Sequence, residues 1–414
     1  MEELKTYRLA DICNSIQTGP FGSQLHKSDY VEFGTPIVMP KDITNGKIND
    51  NNISRISKND VARLFKHKLV PGNIIYPRRG DISKCALITS KEDGWVCGTG
   101  CIKVDINQQI ANSTYVMYVL CQSETVNWIE SNAVGTTMLN LNTSILSDLP
   151  IKLPSLNTQK KLANIVSSFD KKIALNRRIN DNLEQQAQAL FKSWFVDFEP
   201  FKDGKFVDSE MGMIPEGWKV GKLEDIADVV GGGTPSKANA LYFDKQCIPW
   251  ITPKDLSIKK TKFISKGEID ITEEGYKNSS AKKIPLGSVL FSSRAPIGYI
   301  SIAENELTTN QGFKSVVPVK AGTSFLYLYL KANTKAIEAQ ATGSTFKEAS
   351  GSLIKSLCVI IPPDTVFDSF ERNAFPFFSA QANVEREIVN LSKARDTLLP
   401  RLMSGELKIN DLNC

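Results

Sequence analysis

The chain repeats itself, and that constrains its fold more than any other feature. Leu9-Ala10-Asp11-Ile12 returns as Leu223-Glu224-Asp225-Ile226. Pro36-Ile37-Val38-Met39-Pro40-Lys41-Asp42-Ile43 returns as Pro249-Trp250-Ile251-Thr252-Pro253-Lys254-Asp255-Leu256. Pro71-Gly72-Asn73-Ile74-Ile75 answers to Leu286-Gly287-Ser288-Val289-Leu290, and Arg79 then falls against Arg294. Gly135-Thr136-Thr137 matches Gly343-Ser344-Thr345, and Leu149 to Pro154 matches Leu357 to Pro362. The offsets run from 208 to 215, so order is kept with only small insertions. At 414 residues the chain is too long for one compact core, and the repeat says how it divides: two copies of one unit.

Each copy has one plan. Roughly 150 residues of short β-branched stretches, broken by Gly, Pro, Asn and Asp, read as strands and turns with a few short helices. A long helical segment follows. The expected divisions are a first head at 1–154, a helical region at 155–200, a Gly-rich, mixed-charge linker at 201–217, a second head at 218–362 and a second helical region at 363–414.

Residues 159–195 contain no Gly or Pro. Leu162, Val166, Phe169, Ile173, Asn176, Asn180, Leu183, Ala187, Leu190 and Trp194 alternate in steps of four and three. A sustained 3.5-residue period marks a coiled-coil seam rather than a helix lying on a globular core. At about 1.5 Å per residue this segment makes a rod of roughly 55 Å. Adding the offset of 208 gives Phe377, Gln381, Val384, Ile388, Leu391, Arg395, Leu398 and Leu402, the same frame again. The second helix is expected to start near Pro376 and to break or kink near Pro400. Asn176, Asn180, Gln381 and Arg395 are polar seam positions of the kind that fix register at some cost in stability. Two stripes in one frame would bury each other. The fold class expected is therefore α+β: two tandem mixed α/β heads, each followed by a long helix, the helices pairing as an antiparallel coiled coil with pseudo-twofold symmetry.

Bulk composition excludes several classes. The longest apolar runs, Tyr115–Leu120 and Phe325–Leu330, fall far short of the roughly 18 residues that span a bilayer. The acidic start, Met1-Glu2-Glu3, has no apolar signal region, so a cytoplasmic protein is expected. Eight cysteines in so long a chain form no disulfide framework. Cys97 and Cys101 have a spacing a metal could use. With only His26 and His67 and no second Cys pair at matching spacing, no metal site is expected. A net charge of +5 is compatible with a polyanion partner.

The linker Phe206-Val207-Asp208-Ser209-Glu210-Met211-Gly212-Met213-Ile214-Pro215-Glu216-Gly217-Trp218 resembles the junction of type I restriction enzyme specificity subunits. So do Gly231-Gly232-Gly233-Thr234-Pro235, Ser292-Ser293-Arg294-Ala295-Pro296-Ile297-Gly298, Thr309-Asn310-Gln311-Gly312 and the tail Leu398-Leu399-Pro400-Arg401-Leu402-Met403-Ser404-Gly405-Glu406-Leu407. The resemblance runs nearly the full chain in order. It implies two target recognition domains and two conserved helical regions. It also implies double-stranded DNA as ligand, and assembly with two N6-adenine methyltransferase subunits and with restriction-translocase subunits. S-adenosylmethionine, ATP and Mg2+ would then serve those partners, with no cofactor in this chain. The first copy departs from the second, with Gly19-Pro20-Phe21-Gly22 and Val96-Cys97-Gly98-Thr99-Gly100 where the second has Gly-Gly-Thr-Pro and Thr-Asn-Gln-Gly. This suggests a different half-site. The second copy also lacks, after Ile361-Pro362-Pro363, the helix-start glutamine that the first has at Gln159.

A divided target follows: each head reads a few base pairs and the rod sets their separation. Arg and Lys on turns are the natural donors, and amides suit adenine. The candidates are Lys41, Arg78, Arg79, Thr136 and Thr137 in the first head. In the second they are Lys254, Ser293, Arg294, Asn310, Gln311, Lys314, Ser344, Thr345 and Lys347. Catalytic parts are missing. Pro362-Pro363 follows Ile361 rather than the Asp or Asn of an adenine methyltransferase signature. Gly46-Lys47 and Gly221-Lys222 lack the context of a phosphate-cradling loop, and Gly231-Gly232-Gly233 is not a dinucleotide fingerprint. The competing reading is a coiled-coil scaffold whose two heads bind proteins.

Overall fold

A computed structural model describes residues 4–44, 46–135, 139–294, 296–343 and 347–407. Two compact units emerge, the first from residues 1–172 and 391–414, the second from 173–390. Each unit takes one head and part of both long helices.

The repeat is carried into topology. In the first unit Lys5–Arg8 pairs antiparallel with Pro150–Leu153, closing the head at the base of its helix. In the second, Lys219–Lys222 pairs with Cys358–Ile361 in the same sense. The first unit's main sheet sets Cys13–Thr18 and Asn73–Pro77 on either side of Cys101–Ile106. The second unit's sets Ala227–Gly231 and Val289–Phe291 on either side of Lys314–Pro318. A smaller sheet in each holds one parallel pair, Thr35–Val38 with Val96–Cys97 and Ile248–Ile251 with Thr308–Thr309. Central strands such as Asn73–Pro77 and Val289–Phe291 are buried throughout, as strands covered on both faces must be.

The long helices run Leu156–Phe195 and Asp364–Met403, forty residues each. The second thus begins twelve residues before Pro376 and passes through both Pro376 and Pro400, against the expected start and break. Both prolines are exposed. The carbonyls they leave unpaired, of Arg372 and Asp396, also lie at exposed residues where water can take them. The early start has a cause as well: the frame 377, 381, 384 continues backward in steps of three and four onto Ala374, Phe370 and Phe367, all buried. Residues 201–217 are not a plain linker, since Phe206–Ser209 and Gly212–Pro215 form an antiparallel hairpin that buries Ile214.

Within each unit the two helices run antiparallel. In the first, Leu162, Ala163 and Val166 share a core with Leu398, Leu402 and Met403. In the second, Ala187, Phe191 and Phe195 pack with Phe367, Phe370, Ala374 and Phe378. Of the expected seam, Leu162, Val166, Ile173, Asn176, Ala187, Gln381 and Leu402 are buried. Phe169, Asn180, Leu183, Leu190, Trp194, Phe377, Val384, Ile388, Leu391, Arg395 and Leu398 are half-buried. Toward the end of the first helix the buried stripe moves from 190 and 194 to Phe191 and Phe195. There the helix faces the second head as well as the second helix: the Phe195 ring lies 4.8 Å from Phe325 and 4.9 Å from Phe370.

Candidate nucleic-acid interface

In the second unit an open cleft of about 810 Å³ is lined by Thr234, Lys237, Phe243, Trp250, Thr252, Lys254, Glu268, Arg294, Asn310, Gln311 and Gly312, among others. Its floor is Trp250 on the strand Ile248–Ile251, whose indole N–H donates to the Gly233 carbonyl at 3.0 Å. One wall is the helix Pro253–Lys259. Its start is fixed by Thr252, whose hydroxyl accepts the Asp255 N–H, while Asp255 accepts the Thr252 N–H at 2.8 Å. Lys254 projects from this turn and reaches Glu268 at 2.8 Å. The loop 310–312 also lines the cleft, with Gly312 against Pro253 at the start of that helix. A Cβ on Gly232 would lie 1.9 Å from the Asn310 carbonyl oxygen, so only glycine lets these backbones approach.

The first unit builds the same scaffold from other side chains. A Cβ on Gly19 would lie 2.0 Å from the Gly98 carbonyl oxygen, so Gly19 stands where Gly232 does and Gly98 where Asn310 does. The Gly98 N–H donates to Val38 and the Asn310 N–H to Ile251, each at 2.9 Å. The Arg78 N–H donates to Gly100 at 2.6 Å and the Ser293 N–H to Gly312 at 2.7 Å. Backbone bridges join Arg79 to Asn140 and Arg294 to Glu348. Thus Gly98-Thr99-Gly100 replaces Asn310-Gln311-Gly312, Arg78-Arg79 replaces Ser293-Arg294, and Asn140 replaces Glu348.

Of the candidates in the second unit, Lys254, Arg294, Asn310 and Gln311 meet at the cleft. Ser293 is fully buried and its hydroxyl donates to Gly312 at 3.1 Å, so it shapes the loop and cannot reach a ligand. Asn310 Oδ1 accepts the Gly312 N–H at 2.9 Å, which occupies one of the two atoms a bidentate contact with adenine needs. Lys314 is half-buried, its Nζ 3.3 Å from Glu348, and Lys347 is exposed. In the first unit Lys41 and Arg79 are exposed and Arg78 is half-buried, its Nε without a hydrogen-bond partner. Thr136, Thr137, Ser344 and Thr345 lie outside the described residues. Sequence reasoning missed Lys237, Thr234, Trp250, Glu268 and Glu348. Lys237 lies two residues after the Gly-Gly-Thr-Pro turn, a usable signal, while Glu348 had none.

Among the described residues no group of three His, Cys, Asp or Glu could hold a metal. Cys97 and Cys101 are buried, and burial pushes the Cys97 thiol up to about 12. Two heads of one design each present basic side chains on glycine-shaped loops, an arrangement that suits an anionic ligand. A family model for the type I restriction modification DNA specificity domain matches residues 1–185 and 215–366, and the chain belongs to that family. It is similar to the type I restriction enzyme HindI specificity subunit of Haemophilus influenzae, at 26% identity over 98% of this chain and 100% of that one. It is also similar to the MjaIX specificity subunit of Methanocaldococcus jannaschii, at 44% identity over 38% of this chain and 37% of that one. The crystal structure of the type I system S subunit from M. genitalium has the same fold, with a TM-score of 0.63 and 15% identity over 97% of this chain and 96% of that one. As a specificity subunit the chain supplies sequence selectivity and is not the catalyst.

Proposed function

We propose that the chain reads a two-part DNA target, one part per unit, for a type I restriction-modification complex. The observation that carries this is one loop scaffold furnished twice with different side chains: Gly98-Thr99-Gly100 with Arg78-Arg79 in the first unit, Asn310-Gln311-Gly312 with Arg294 in the second. A shared backbone suits a shared ligand, and different donors suit different base pairs. Two N6-adenine methyltransferase subunits would act at the bound target and restriction-translocase subunits would cleave, using S-adenosylmethionine, ATP and Mg2+ held by those partners. The work is done in the cytoplasm, where the DNA is, and no described helix is long and apolar enough to cross a membrane.

The test is to assemble the chain with its methyltransferase partners and map the methylated adenines. A divided motif is expected. Inserting seven residues into each long helix lengthens it by about 10 Å and should widen the spacer by roughly 3 base pairs, leaving both half-sites alone. An undivided motif, or an unchanged spacer, overturns the reading. Failure of the complex to bind mixed DNA in a salt-dependent way would favour protein-binding heads instead.

A further inference from the structure

We infer that Glu348 is a specificity-determining residue of the second unit: its carboxylate positions Arg294 as a base-reading donor and keeps that edge of the cleft from gripping phosphate indiscriminately. This rests on reading the heads as DNA-binding surfaces, and adds which side chains of one head set its selectivity.

Arg294 lines the cleft and is about one-third exposed. Its Nη1 lies 3.8 Å from one Glu348 oxygen, while the other is 3.3 Å from Lys314 Nζ. The first distance is an ion pair but is too long for a hydrogen bond, so the guanidinium is held by charge, and among the described residues its donors are uncommitted. Lys314 is the least exposed member of the row and anchors the carboxylate, at 15% side-chain exposure. Backbone bridges from Glu348 to both Arg294 and Thr342 fix where the carboxylate starts.

The first unit shows that the group changes together. By strand register Lys314 pairs with Gly231 and Ile102 with Thr18, so the buried Ile102 stands in place of Lys314. Asn140 stands in place of Glu348, with Val134 in place of Thr342 across the same bridge. The bridge partner of Arg79 is therefore a neutral residue, and among the described residues neither Arg78 nor Arg79 has an ion pair. Lysine and glutamate are present together in one unit and absent together in the other, as expected if the lysine exists to hold the glutamate. A carboxylate at a DNA-facing edge opposes phosphate and accepts only from a base amine such as that of cytosine. The arginine beside it has the fork that recognises guanine in two bonds, which lysine lacks.

The experiment assembles the complete complex with wild-type chain, R294A, R294K and E348Q, and maps methylated sites. It also measures binding to mixed DNA against salt. R294A and R294K should both lose discrimination at one base pair of one half-site, by roughly 5- to 150-fold. E348Q should relax the same base pair and steepen the salt dependence by about one phosphate contact, with the other half-site unchanged. Wild-type selectivity in R294K would make Arg294 a phosphate contact and overturn the inference. So would an E348Q variant altered only in thermal stability, or unchanged half-sites in all three variants, while the divided-target reading stood. If wild type itself gave no divided motif, the underlying reading would fail first and this one with it.

Discussion

The two units repeat one scaffold but fasten their heads to the helices differently. In the second, Lys262 is buried, its Nζ donating to Glu184 at 2.9 Å and to Gln381 at 2.7 Å, 3.3 Å from the centre of the Phe378 ring. Lys331 donates to the other Glu184 oxygen at 2.6 Å, and Glu385 accepts the Lys262 and Phe263 N–H groups. In the first, Asp170 takes Arg395 at 2.7 Å and the Tyr118 hydroxyl at 2.5 Å, with the Asp170 and Arg395 side chains each at least a quarter exposed. A charge removed from water needs a complete set of partners, whereas a half-wet pair can rely on water for the remainder. Apolar framing is therefore the part of the design that duplicates unchanged, and polar joints are rebuilt in each copy.

Breaking the buried joint should have the largest effect. Glu184→Ala leaves the Lys262 ammonium buried without its carboxylate and should cost about 3–5 kcal/mol, whereas Asp170→Ala in the first unit should cost about 1 kcal/mol. Hydrogen exchange over residues 173–390 and over the remainder separates the two. Equal costs would remove the contrast.

Acid sharpens the same comparison. Burial pushes the Glu184 carboxyl up, but Lys262 and Lys331 outweigh it and hold the group down at about 2, against an ordinary 4.5. A depressed folded-state pKa gives stability that is complete above about 4.5 and lost as pH falls toward 2, roughly 3 kcal/mol here. Unfolding measured across that window should show a flatter acid limb in Glu184→Gln. An unchanged limb would mean that Glu184 is not the group responsible. Lys262 is shifted by burial too, down to about 8 in spite of Glu184.

The smallest effect concerns helix docking. Glu371 accepts the Ser324 N–H at 3.1 Å and its hydroxyl at 2.8 Å, serving the first turn of Thr323–Gln340, which Gly322 cannot cap with a side chain. Gln159 does related work in the first unit, accepting the Asn112 N–H at 2.9 Å. Glu371→Ala should cost about 1 kcal/mol and speed amide exchange in that turn. Unaltered exchange there would show the cap to be idle.

Much of the plan could be read from residue order. Matched segments such as Pro36 to Ile43 and Pro249 to Leu256 gave the duplicated topology, and the 3.5-residue period gave the facing stripes. Ser293 misled, because a serine beside an arginine in a turn looks alike whether it meets a ligand or a buried carbonyl. Glu371 was missed because it sits one turn beyond the position where a glutamine was sought. Lys262 is one of three lysines in Lys259-Lys260-Thr261-Lys262, and nothing local marks it as the buried one.

What this chain's sequence determined alone is whatever depends on period and order: two copies, two long helices, glycines where backbones must touch. Tertiary structure decided which charges are buried and which carboxylate faces which arginine, as in Glu348 beside Arg294 and Lys314. Those choices depend on groups tens to hundreds of residues apart losing water together. Burial energy is a property of the assembled surroundings, and no local pattern encodes it.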